Sequence, residues 1–135
     1  MPETLKEFRV STRDKAQFID ITSSVEKIIE ETSVENGLCV VQILHTTAGI
    51  TINENADPSV RGDIIAALGR MVPENNLYNH SEGNSPAHIK ASLMGSSVFI
   101  AIENGSLLLG TWQGIYLCEF DGPRTRRVAL KIIGN

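Results

Sequence analysis

The sequence predicts an α+β fold: a mixed, mainly antiparallel β-sheet with about three helices, in the order ββ-α-ββ-α-α-βββ. Three observations lead there. Strand-like runs arrive in pairs and at the end as a group, without the regular strand-helix alternation of a doubly wound sheet. Asn104-Gly105 and Asp121-Gly122-Pro123 punctuate the last apolar runs as hairpin turns would. The 135 residues match one domain, 1–135, able to bury roughly two-thirds of its unfolded surface around one core, with no room for a second.

The elements follow in order. Leu5, Phe8 and Val10, then Phe18, Ile19 and Ile21, flank the polar stretch Ser11 to Lys15 and resemble an opening β-hairpin. Ser23 and Glu26 form an S-x-x-E capping box, and Val25, Ile28, Ile29 and Thr32 continue at helical spacing to a stop at Asn36-Gly37, predicting a helix over 24–35. GLCVVQIL is β-rich and too short for a buried helix, and ITINEN alternates apolar and polar residues, so two strands flank His45. Asp57 is an N-cap before Pro58, and Val60, Ile64, Ile65, Leu68 and Val72 make the apolar stripe of a second helix running to Pro73. The polar, turn-rich NNLYNHSEGNSP precedes AHIKASLMG, a short third helix with proline at its start and glycine past its end. The remainder reads as three or four antiparallel strands, with a further turn over Gly110 to Gly114.

Composition bounds the function. Hydrophobic residues make up 41% and charged residues 21%, and no run of glycine, proline or serine signals disorder. A net charge of −4 opposes loose attraction to nucleic acid or anionic membrane, so an anionic ligand has to be held by local groups. MPETLKEFRV lacks a signal-peptide core, and no apolar run approaches the ~20 residues that span a bilayer. The expected address is the cytoplasm, with neither nucleic acid nor membrane as partner. Cys39 and Cys118 lie inside apolar runs and read as small buried hydrophobes.

Three constellations could carry chemistry. His45-Thr46-Thr47-Ala48-Gly49 lies between two strands, at a sheet rim, with Thr51, Asn53 and Asn55 on the polar face that follows and Glu54 and Asp57 close behind. The ordinary alternatives are a histidine bonded to its own turn, turn and cap roles for Asn55 and Asp57, and a solvated helix face for Asp63. His80 and His88 lie eight residues apart in a loop carrying Glu82 and Asn84. Two imidazoles and a third ligand suit a divalent metal such as Zn²⁺, although no zincin or cysteine-based zinc spacing is present. Without a metal, one histidine suits proton transfer near neutrality. Finally, Asp121-Gly122-Pro123-Arg124-Thr125-Arg126-Arg127 presents three arginines within four residues; alternation puts Arg124 and Arg126 on one face and Arg127 opposite. Such an arginine can grip phosphate bidentately or pair at the surface with acids such as Glu119. Trp112, between Gly110 and Gly114, reads as a core or interface plug in preference to a stacking wall.

At HTTAGITINENADP, HSEGNSPAHIKASLMG and GTWQGIYLCEFDGPRTR the chain resembles the YjbQ family over nearly its whole length. The resemblance implies an α+β homotrimer and a thiamine-phosphate synthase activity that joins a pyrimidine diphosphate to a thiazole phosphate with loss of diphosphate. Carried over by position, it puts the family's motif histidines at His45, His80 and His88, the same three that their number and context make the expected metal ligands. Glu54, Asn55, Asp57, Glu82 and Asn84 fall on the acidic and amide positions, and Arg124 on the late arginine. The roles expected are catalysis for His45, Glu54, Glu82 and Arg124, and substrate binding for Thr47, Asn53, Asn55, Asn84 and Arg124. A small phosphorylated metabolite is the expected partner. Two other readings stay open: a metal-dependent hydrolase using Glu82 or Glu54 as base, and a non-enzymatic trimeric module that captures a small anionic metabolite.

Overall fold

The structure is a computed structural model describing residues 2–135. Its elements are β1 (Glu3–Ser11), β2 (Gln17–Asp20), α1 (Thr22–Thr32), β3 (Gly37–Ile43), β4 (Ala48–Glu54), α2 (Pro58–Met71), α3 (Ser85–Met94), β5 (Ser97–Glu103), β6 (Ser106–Leu107), β7 (Gln113–Glu119) and β8 (Thr125–Gly134). The predicted fold class and element order are those observed. The strands divide into two sheets, a five-stranded one in the order β1-β8-β3-β5-β6 and a three-stranded one in the order β2-β7-β4. Every strand pair is antiparallel.

The predicted opening hairpin does not form. β1 pairs with β8 and β2 pairs with β7, so the polar stretch between them crosses from one sheet to the other. The chain crosses the same way between β3 and β4 and between β7 and β8. Register shows that the crossings share one end of the molecule. Ser11 lies opposite Thr125, and Ile43 opposite Val128, at the end of the large sheet; Gln17 and Ala48 both lie opposite Glu119 at the end of the small one.

Three layers result. Ile50, Ile115 and Leu117 of the small sheet pack against Cys39, Val41, Ile100, Val128 and Leu130 of the large one, with Val25 and Ile29 of α1 in the same core. The opposite face of the small sheet carries Phe18, Tyr116 and Cys118, which meet Leu68 of α2 and Ala87 and Ala91 of α3. β7 is therefore buried on both faces, which explains why IYLCEF reads as a continuous apolar run. Cys39 and Cys118 are free and buried as expected, and burial pushes the Cys39 thiol up to about 12.

Local signals held where no competitor was closer. Asp57 caps α2 by accepting from the Ser59 N–H at 2.9 Å, and that bond holds its carboxyl below the usual range. Asn104 and Gly105 both adopt positive φ, 51° and 79°, as a two-residue turn between β5 and β6 demands. The Ser23–Glu26 capping box is not made. Asp20 accepts from the Thr22 N–H at 2.9 Å and starts α1 two residues earlier than predicted, and Ser33, at φ 58°, ends it before Asn36-Gly37. Gly37 serves β3 instead: a Cβ there would collide with the carbonyl of Ile133 on β8. Trp112 is 61% exposed and no part of the core. No helix among the described residues is long and apolar enough to cross a membrane.

Candidate functional site

The end where the chain crosses between sheets is tied together by one buried ion pair. Glu119, at the end of β7, and Arg126, at the start of β8, are 0% and 1% exposed in their side chains. Arg126 donates to both oxygens of the Glu119 carboxylate, and through Nη2 also to the Thr47 hydroxyl at 2.8 Å and the Thr47 carbonyl at 3.2 Å. Glu119 accepts in addition from the Thr12 hydroxyl at 2.8 Å and from the N–H groups of Phe120 and Asp121 at 3.0 Å. Thr12, Thr47 and the pair itself belong to the three different crossings, so a single polar cluster sets their relative positions. Burial alone would raise the Glu119 carboxyl; the hydrogen bonds from Arg126, Asp121 and Thr12 outweigh it and hold the group below the usual carboxylate range.

Above this cluster lies a cavity of about 400 Å³. His45, Thr46 and Thr47 form one side of it, His80, Glu82, Asn84 and His88 another, and Arg124 and Arg126 a third. The three predicted histidines, Thr47, Glu82, Asn84 and Arg124 thus share one site. The His80 and His88 rings meet edge to face with centroids 5.2 Å apart. Arg124 is held by Asp121, which accepts from Nε through its carbonyl and from Nη2 through its carboxylate, both at 2.8 Å; half of the Arg124 side chain stays exposed. Asn84 donates to the same Asp121 carboxylate at 2.9 Å, while its buried Oδ1 has no partner among the described residues. An amide oxygen at the cavity wall is an acceptor open to a hydrogen-bond donor.

His45 is fixed at its crossing by an unusual bond: its Nε2 accepts the backbone N–H of Arg127 at 2.8 Å. A neutral imidazole accepting at Nε2 carries its proton on Nδ1, which leaves that nitrogen a donor. Burial lowers the His45 pKa below its ordinary value, and the positive charges of Arg126, Arg127 and Arg124 add to that against the opposing Glu119. In an NMR titration His45 is expected to take its proton below the ordinary value of about 6.5. The unfolded chain binds that proton first, so the contribution of His45 to stability is complete above about pH 6.5 and lost as pH falls through the folded value. Titration at or above 6.5 would contradict this environment.

The expected three-imidazole metal centre does not fit the arrangement. Among the described residues no group of three His, Cys, Asp or Glu side chains is disposed to hold a metal ion. The physical reason lies in His45, whose Nε2 lone pair is taken by Arg127 and whose other nitrogen then bears hydrogen. His80 and His88 remain an adjacent pair.

Three other expected residues are not brought to the histidines. β4 runs from Ala48 to Glu54, which at about 3.3 Å per residue carries its far end roughly 20 Å away. Asn53 accepts from the Glu54 N–H, Glu54 accepts at its carbonyl from the Tyr116 hydroxyl, and Asn55 donates to Asp20. Arg127 faces away from Arg126, as alternation requires, and pairs with Glu7 on the outside of the large sheet. Arg126 was not expected as a buried member of the site. Its signal was available, since it shares parity with the buried Val128, Leu130 and Ile132 of β8. Asp121, which orients Arg124 and Asn84 together, had no comparable signal.

Known proteins share this sequence and fold. The model of the family described as UPF0047 protein YjbQ-like matches residues 6–135. A UPF0047 protein of Methanocaldococcus jannaschii is 51% identical over 97% of this chain and 95% of its own length, and YugU of Bacillus subtilis is 49% identical over 96% and 99%. A crystal structure of a YjbQ/UPF0047 family protein from Clostridium acetobutylicum superposes with a TM-score of 0.93 at 59% identity, covering 95% of this chain and 99% of the other. One of a protein of unknown function from Sulfolobus solfataricus gives 0.95 at 31% identity, covering 99% of each. With a match over almost every residue and relatives this similar from archaea and bacteria, the chain belongs to the YjbQ/UPF0047 family.

Proposed function

We propose that the protein is a transferase of the thiamine-phosphate synthase type, acting on small phosphorylated metabolites at the histidine cavity, with this reaction a secondary activity of the site. The observation that carries the reading is the meeting of three imidazoles with Arg124 around one cavity in a chain of net charge −4. In the reaction a thiazole nitrogen gives its lone pair to a methylene carbon as the carbon–oxygen bond to diphosphate breaks, and the diphosphate leaves with the bonding pair. No proton has to move, so the protein's task is to bind, orient and stabilise the departing charge. Arg124 supplies fixed positive charge, and His45, with Nδ1–H, supplies a neutral donor. The Thr47 hydroxyl, which accepts from Arg126, keeps its own hydrogen for a ligand oxygen. Glu82 and the free Oδ1 of Asn84 suit amino or hydroxyl hydrogens on the organic part. No step in this reading passes through a metal.

Self-association belongs to the same proposal. The outward face of the large sheet carries Leu5, Lys131, Val40 and Phe99 in one cross-strand row, with Leu5 67% and Phe99 69% exposed. Such a face supports the homotrimer that the resemblance implies.

Purified protein supplied with a pyrimidine diphosphate and a thiazole phosphate is expected to release product and diphosphate in equal amounts, with the rate falling sharply in His80→Ala. Equal trace product from wild type and variant would sink the transferase reading. Turnover of phosphate esters that needs added metal and stops in chelator would favour the hydrolase instead.

A further inference from the structure

The cavity beside Arg124 is not the only depression that the histidines reach. His45 and His88 also line a second one, of about 500 Å³, on the side of α3. Its other walls are Thr46, Ala48, Ala91, Ser92, Gly95 and Ser96. The two depressions differ in kind. The first contains Glu82, Arg124 and Arg126; the second contains no Asp, Glu, Lys or Arg.

The second chamber is shaped by close backbone approach. A Cβ on Gly49 of β4 would lie 2.9 Å from the Gly95 carbonyl and from the Met94 Cβ, so β4 and the end of α3 touch without side chains between them. The Gly95 carbonyl accepts from Ile50 N–H at 3.0 Å, and the Ser96 carbonyl accepts from Ile43 N–H at 2.9 Å, which fixes that wall to β4 and to β3 at once. Ala48, Ala91 and Gly95 offer the chamber at most a methyl group each, so a flat molecule can lie against them. Besides the two imidazoles, the polar side-chain atoms there are hydroxyls. Ser92 Oγ donates to the His88 carbonyl at 2.9 Å and so remains an acceptor, and Thr46 and Ser96 supply further hydroxyls near the rim.

We infer that this chamber is a second subsite, which takes the uncharged, flat heteroaromatic part of a ligand whose phosphate lies in the Arg124 cavity, with His45 and His88 at the junction. A charged group would find no counter-charge there and would lose hydration without return, whereas a ring with amino and ring-nitrogen edges meets hydroxyls at its rim and methyl groups at its face. This deepens the proposed function by assigning the two ends of a phosphorylated heteroaromatic substrate to two chambers. It leans on the transferase reading only for the reaction between them.

Two probes test it by chemical-shift titration of the intact protein: cytosine for the neutral chamber and inorganic diphosphate for the charged one. Cytosine is expected to shift the amides of Ala91, Ser92, Gly95 and Ser96 saturably, and diphosphate those of Thr46, Asn84 and Arg124. Ser92→Phe, an exposed position whose new ring would fill the neutral chamber, is expected to weaken cytosine at least about tenfold and leave diphosphate within about twofold. Arg124→Ala should do the reverse. Ser96→Leu, at a second exposed position, repeats the block independently should Ser92→Phe disturb α3. Cytosine binding that is unchanged in both blocking variants, or that shifts only the Arg124 side, would overturn the subsite. The two ideas fail separately: partition of the probes without turnover removes the reaction and keeps the chambers, while turnover without partition does the opposite.

Discussion

Arg126→Met is expected to destabilise the protein by about 3–5 kcal/mol, the cost typical of leaving one partner of a buried ion pair alone. The pair itself need not be worth that much. What makes its disruption costly is that the Glu119 carboxylate, without exposure, would keep only the hydroxyl of Thr12 and two backbone donors, with no cation. The Thr47 carbonyl and hydroxyl would lose their donor in the same substitution. Urea unfolding of wild type and variant measures the loss, and a change under about 1 kcal/mol, the range of a surface pair, would show that the cluster is not the fastener described. Removing both charges with Arg126→Met and Glu119→Leu together is expected to recover part of the stability, since no buried charge is then unpaired. The pH dependence has a definite sign. The folded pKa of Glu119 lies below its unfolded value, so its contribution is complete above about pH 4.5 and disappears as pH falls through the folded value.

His88→Ala is expected to lower kcat of the proposed transfer by about a hundredfold to a thousandfold, the usual loss when one donor to a developing anion is removed. His88 joins Arg124 and His45 as a group facing the departing charge, and it alone among the histidines borders the charged cavity, the neutral chamber and the depression beside Tyr78 and Ile89. Alanine is compatible with the helix, and the side chain lost is only partly buried, so the fold should persist. Steady-state kinetics with a circular-dichroism control reads the outcome. A kcat within about threefold of wild type would remove His88 from the chemistry.

Much of this architecture could be read from local patterns, and the exceptions have a common cause. The alternation in β4, the proline-initiated helices and the Asn104-Gly105 turn depend on a few neighbouring residues, and each formed as read. Which sheet a strand joins depends on partners far along the chain. Ser11 to Lys15 reads like a hairpin turn because short polar stretches usually are; the stretch leads elsewhere because β8 and β7, about a hundred residues or more along the chain, offer the two apolar strands different partners. The same blindness affected the site. His80 and His88 stand on one segment and were legible together. Glu54 and Asn55 were placed near His45 by sequence proximity, but an extended strand separates what a turn would have gathered. Arg126 is legible in its parity with Val128, Leu130 and Ile132, but a charged side chain is ordinarily assigned to the surface.

The two cysteines give the layered arrangement a use beyond stability. Cys39 lies in β3 of the large sheet and Cys118 in β7 of the small one, both buried and both with thiols pushed well above their ordinary range by burial. Neither can react as a thiolate while its sheet is closed. The chain therefore carries an internal stopwatch on each sheet: the pace of alkylation at each sulfur records how often that sheet breathes open, and whether the two do so in unison or one at a time.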